Sequence, residues 1–194
     1  LVGSEMCIRD RLDRVSVMST MWIGTFLAAL DTTMVATVMS QVGSEFAVSN
    51  TVAWLGTSYM LTQMACQPLY GRLSDAFGRR AMTLFASSVF FVGTLSCGLS
   101  RTFVQLCIAR AMAGLGGSGL TSLATMVVSD MTRVQARATW QGLGNVIFAI
   151  GAALGGPLGG AVVDAQWGWR WAFLLQVPLC AAPVSYTHLR AHET

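Results

Sequence analysis

The 194-residue sequence has no lysine: its twelve basic residues are all arginine, and charged residues of both signs make up only 11% of the chain. An ordinary soluble domain carries about 25%. With 54% hydrophobic residues, too little charge remains to cover a water-soluble core. Histidine is confined to His188 and His192 in the final tail, so the commonest acid-base and metal-binding side chain is missing elsewhere. The cysteines at 7, 66, 97, 107 and 180 show no pairing or metal-ligand spacing, which excludes a disulfide framework and a zinc site. Without lysine there is no glycine-rich phosphate loop ending in Lys-Ser or Lys-Thr, and ATP-driven transport by this chain is not expected. The arginines sit in short loops without interleaved aromatics, which argues against nucleic acid. No enzyme activity, cofactor or metal is expected.

What the sequence does have is a series of apolar runs long enough to cross a bilayer, each needing about 20 residues. Spanning helices are predicted at about 15–42, 51–70, 81–100, 103–128 and 139–163, with an incomplete sixth at 171–183. Residues 1–11 and 184–194 resemble translated sequencing-adapter read-through and are expected to be non-native, leaving 12–183 as a single bundle. The connections after the second and fourth spans hold Arg72, Arg79, Arg80, Arg133 and Arg137, whereas the alternate connections hold only Arg101 and Arg170. The positive-inside rule then places the N-terminus in the cytoplasm. The Trp-rich stretch Trp167 to Trp171 reads as an interfacial anchor before the sixth span. The fold class is therefore an all-α membrane protein, a six-helix bundle with its sixth helix truncated, read as the N-terminal half of a larger membrane protein.

Two charges stand at membrane depth, Asp31 and Arg110, and an intramembrane charge costs about 3 kcal/mol or more unless it has a partner or a task. Counted from the outer ends of their helices they differ in depth by only ~5 Å, so an ion pair or a shared cavity is feasible. A carboxylate whose burial favours its proton and whose guanidinium neighbour favours its charge can exchange that proton for substrate. The plainer alternative is a static pair that fixes helix register. Tyr59 and Gln63 belong to a polar stripe with Gln67 and Tyr70 that should not face lipid, and Gln141 with Asn145 could line the same cavity. Gly114 and Gly117 share a face with Arg110, and Gly151, Gly155 and Gly159 recur every fourth residue around Pro157. Both patterns suit close helix packing.

Between the second and third spans lies Gly71-Arg-Leu-Ser-Asp75-Ala-Phe-Gly78-Arg79-Arg80, a basic hairpin in which Gly71 and Gly78 permit a tight turn. Its G-x-x-x-D-x-x-G-R-R spacing resembles the loop signature of the major facilitator superfamily. The segment Leu30 to Val35 resembles the first-helix motif of that family's fourteen-span drug:proton antiporter branch, and Trp169 to Phe173 its entry to helix six. Arg110 with Gly114 is similar to the fourth-helix motif implicated in proton coupling, although Ala113 stands where that motif has Gln. The segments Arg110 to Gly117 and Gln141 to Gly160 are similar to vacuolar permeases for basic amino acids. The resemblance implies proton-coupled secondary transport of small solutes, either basic amino acids or drugs, by alternating access in a plasma or vacuolar membrane. It assigns the hairpin a gating role and makes protons, a small-molecule substrate, the bilayer and a C-terminal half the partners. A solute sensor or scaffold of the same fold is the competing class.

Overall fold

The computed structural model describes residues 2–48, 50–165, 168–178 and 180, with side chains from Met18 onward apart from Asp164. Six helices follow in order: α1 Val2–Glu45, α2 Trp54–Phe77, α3 Arg79–Leu99, α4 Phe103–Met131, α5 Val134–Asp164 and α6 Arg170–Leu174. In hydrocarbon no water can satisfy backbone polar groups, so long apolar runs of this kind have the helix as their stable form. Four stretches are long and apolar enough to cross a bilayer: Met18–Glu45, Arg79–Leu99, Phe103–Met131 and Val134–Val163. With 24 residues α2 has the length too, but Gln63, Gln67, Arg72 and Asp75 dilute its apolar character. The helix containing the first predicted span is continuous from Val2. After a turn at Leu175 helical structure resumes over 176–178. The end of the predicted sixth span at 181–183 and the tail at 184–194 lie outside the described residues.

Polar side chains within the spans satisfy themselves locally. In α1 the hydroxyls of Thr32, Thr33 and Thr37 donate to carbonyls three or four residues back, which removes their need for water. At the start of α4, Thr102 caps the helix by accepting from the Gln105 amide.

The bundle is organised around α4, which packs most extensively on α3 and α2, while α1 packs chiefly on α5 and more narrowly on α4. Small residues set these seams. A methyl group at Gly116 would run into the Phe90 backbone of α3, and one at Gly114 into the Tyr59 carbonyl of α2. Methyls at Gly155 and Gly159 of α5 would strike the hydroxyls of Thr33 and Thr37 on α1. Pro157 lies within α5 between these contacts. In lipid there is no hydrophobic drive between helices, so close backbone approach of this kind is what holds them together.

Two expectations are corrected by the helix boundaries and burial. The basic segment is not a ten-residue hairpin: α2 continues to Phe77, Gly71 is an interior helical residue, and the turn is Gly78 alone, at φ +87°. An L side chain is strained at that φ, which is why one glycine suffices and is needed. Nor does Trp169 anchor the chain at the interface, because it is wholly buried in the outer core with Leu55, Leu106 and Phe173. Trp171 beside it is about half exposed, and Trp167 lies outside the described residues.

Candidate functional site

Asp31 stands midway along Met18–Glu45, and Arg110 reaches it from the outer third of α4. One terminal nitrogen, Nη1, bridges the carboxylate, lying 2.8 Å from Oδ2 and 3.0 Å from Oδ1. Both side chains are sealed, at 0% and 1% exposure. The guanidinium also lies 4.6 Å from the centroid of the Tyr59 ring on α2 and 5.7 Å from that of Phe173 on α6. Gly114 and Gly117 make room for this arrangement, since a methyl at the first would meet the Tyr59 carbonyl and at the second its hydroxyl. Taking two ions out of water costs several kcal/mol each, and removing one partner of such a pair costs about 3–5 kcal/mol. A pair this dry is stable while intact and costly to open.

The predicted cavity is divided. Gln141 and Asn145 line a separate pocket of about 330 Å³ with Trp22, Thr25, Thr121 and Trp140, and neither Asp31 nor Arg110 borders it. The two indole rings stack there with centroids 5.7 Å apart. Gln141 and Asn145 sit too near the start of α5 to reach the depth of Asp31. On α2, Tyr59 and Tyr70 are buried, Gln63 is half-buried and Gln67 exposed, so the stripe splits between the core and the open face.

At the end of the bundle that holds the α2–α3 and α4–α5 turns, Arg79 makes three contacts. It lies 3.2 Å from Asp75 on α2, 3.1 Å from Asp130 at the end of α4, and donates to the Ser74 hydroxyl. Arg80 is exposed. Asp130 was not singled out by the sequence, although an acid at the C-terminal end of α4, on the side expected to hold the basic turn, is the signal that could have found it.

At the other end Glu45, closing α1, pairs with Arg170 at 3.0 Å and accepts the Trp169 indole N–H. Arg170 lies 4.5 Å over the Trp169 ring and also donates to the Ser100 carbonyl at the end of α3. This clasp joins α1, α3 and α6, and sequence reading missed it because both charges looked like ordinary loop residues.

Residues 21–186 match the family profile described as Major Facilitator Superfamily. The chain is 46% identical over 168 residues to Multidrug resistance protein fnx1 of Schizosaccharomyces pombe, covering 87% of this chain and 32% of that protein. It is 40% identical over 168 residues to Vacuolar basic amino acid transporter 1 of Saccharomyces cerevisiae, covering 87% and 30%. Among solved structures, a D-xylose-proton symporter superposes with a TM-score of 0.78 at 17% identity, covering 90% of this chain and 47% of that one. The human organic anion transporter MFSD10 (TETRAN) gives 0.75 at 20%, covering 90% and 46%. At those identities the structural likeness speaks for the fold alone. The chain spans about a third of the length of these curated relatives and about half that of the solved structures.

Proposed function

Because the chain belongs to the major facilitator superfamily, we propose that it forms the N-terminal half of a proton-coupled transporter of small cationic solutes, with Asp31 as the proton-exchanging group and Arg110 its internal competitor. The observation that carries this reading is the fully buried Asp31–Arg110 pair at mid-span. An ionisable pair at that depth marks a pathway more often than it serves as a strut. In transporters of this architecture the site lies near the midplane between two halves. The relatives' names, a vacuolar basic amino acid transporter and a multidrug resistance protein, support basic amino acids or drugs as cargo, and the first supports a vacuolar membrane as location.

The chemistry follows from competition for one carboxylate. With Asp31 ionised, Arg110 occupies it. A proton arriving at Asp31 dissolves the pair, and a cationic substrate can take the carboxylate only by displacing the guanidinium or following the proton's departure. Alternating access then makes the two occupancies exclusive. Arg79 at the Gly78 turn ties the cytoplasmic ends of α2 and α4 through Asp75 and Asp130, so those contacts form in one arrangement and break in the other.

The test uses the full-length transporter containing this half, reconstituted in vesicles under an imposed pH gradient. Radiolabelled arginine or lysine, and separately a lipophilic cation, should accumulate against the gradient. Asp31→Asn should abolish gradient-driven accumulation. Accumulation that stays gradient-dependent in Asp31→Asn rejects Asp31 as the proton site. Binding of either solute without movement in the unmodified protein returns the reading to a sensor of the same fold.

A further inference from the structure

A buried guanidinium that loses its counter-ion has to find another acceptor, because an unpaired charge in a dry interior is strongly unfavourable. Any event that neutralises Asp31 therefore poses a question about Arg110. The groups facing the pair can be taken element by element. The α2 helix contributes the Tyr59 ring, α3 the Cys97 thiol, and α4 carries Cys107 near that thiol. The thiol of Cys180 lies within electrostatic range of Asp31. Between Trp140 and Val163, α5 has no titratable residue. Thiols and phenols are neutral and weak acceptors at physiological pH.

One strong acceptor stands apart. Gln176, beyond α6, is 1% exposed; its amide nitrogen donates to the Met34 sulfur at 3.1 Å, and its amide oxygen has no partner among the described residues. The Nε of Arg110 is a buried donor that also lacks one. Two threads put these groups in the same part of the bundle. Met34 is one turn along α1 from Asp31, and Gln176 follows by three residues the Phe173 whose ring is 5.7 Å from the guanidinium. A helical turn is about 5.4 Å, within the sweep of an arginine side chain. Buried polar groups without partners are rare and call for an explanation. We propose that Gln176 is the alternate partner of Arg110, a positioning residue whose amide oxygen receives the guanidinium when Asp31 is neutralised. Of the seven buried side-chain atoms without a partner among the described residues, which include the Tyr59 hydroxyl, these two are then the halves of a hydrogen bond made in the other state. The inference rests on the proton-exchange reading for its role in transport, but not for the contact itself.

The contact is tested by thermal unfolding of the full-length transporter in detergent. Gln176→Leu alone should shift the melting temperature little, because it removes an amide engaged only with a sulfur. In an Asp31→Leu background, which leaves no acceptor at that position so that Arg110 depends on Gln176, the same change should lower it by about 3 °C or more. Additive effects overturn the proposal. Should the double variant fail to accumulate, adding Arg110→Met removes the stranded charge and should restore it; no restoration also overturns the proposal. The second readout is the pH profile of uptake. Without Gln176 the neutralised state of Asp31 is less stable, so half-maximal uptake should move toward acid by about half a pH unit, a roughly threefold loss of proton affinity. A residue that merely packs would lower yield and leave the profile in place, and that result overturns the proposal as well. If Asp31 proves not to be the proton site, the pH experiment falls with it while the melting cycle still reports the contact.

Discussion

Arg79 lies 3.1 Å from Asp130 and 3.2 Å from Asp75, so one guanidinium joins the C-terminal end of α4 to the α2–α3 turn. All three side chains are at least a third exposed, and exposed ion pairs contribute about 0–1 kcal/mol. On the proposed gating role, their use is in setting which arrangement of helices is favoured rather than in holding the bundle together. Arg79→Ala and Asp130→Asn should lower the initial rate of uptake severalfold while shifting the melting temperature by no more than about 3 °C. A loss of stability as large as the loss of rate would make the contact structural. Vesicle uptake and thermal unfolding on the same preparations decide between them.

Adjacent glycines in α5 give opposite expectations. A methyl at Gly155 would strike the Thr33 hydroxyl and the Leu30 carbonyl, whereas one at Gly156 has no neighbour within 4 Å among the described residues. Gly155→Ala should cost about 1–3 kcal/mol by forcing α1 and α5 apart. Gly156→Ala should leave the packing of this half intact, and by helix propensity alone favours the helix by up to about 1 kcal/mol. Melting temperatures of the two variants check the contrast, and equal losses would show that the α1–α5 seam does not depend on close approach at Gly155.

The outer clasp offers a third test. Trp169 is fully buried, its ring edge-on to Phe173 at 6.1 Å and tilted against Phe46 at 6.0 Å, with its N–H given to Glu45. Trp169→Ala should cost about 3–5 kcal/mol through the cavity it leaves. Trp169→Phe keeps most of the volume and loses the donor to a charged acceptor, a smaller cost of about 1.5–3 kcal/mol. Denaturation of the purified protein should rank them in that order. A Trp169→Phe variant as unstable as Trp169→Ala would mean that the hydrogen bond, not the ring, holds α1 to α6.

The spans were legible because charge is scarce: where only Asp31 interrupts nearly thirty residues, few structures other than a helix in lipid remain. The meeting of Asp31 with Arg110 was open to depth arithmetic for the same reason, since two charges at one level leave few other partners. The partners of Arg79 and Arg170 were not legible, because loop charges are common and knowing which loops share an end of the bundle does not say which of their charges meet. Gln141 and Asn145 were grouped with Asp31 on their shared helix face, although their position near the start of α5 already pointed away from its depth. Trp169 misled because tryptophan is enriched both at membrane interfaces and in packed cores, and only the neighbours distinguish the two. Gln176 drew no notice because its helix was read as too short to span.

The burial of Asp31 and Arg110 is complete within this half alone, with Tyr59 and Phe173 closing over the guanidinium. A cover that belongs to the same half travels with it. Rocking two rigid halves about a central hinge would therefore bring the lid along and leave the charges dry. Wetting them takes an internal shift, of Tyr59 on α2 or Phe173 on α6, in addition to any rocking. In the proposed transport cycle such a two-step opening would work as an insulator: as long as either step is incomplete, ions would have no continuous aqueous route past the pair.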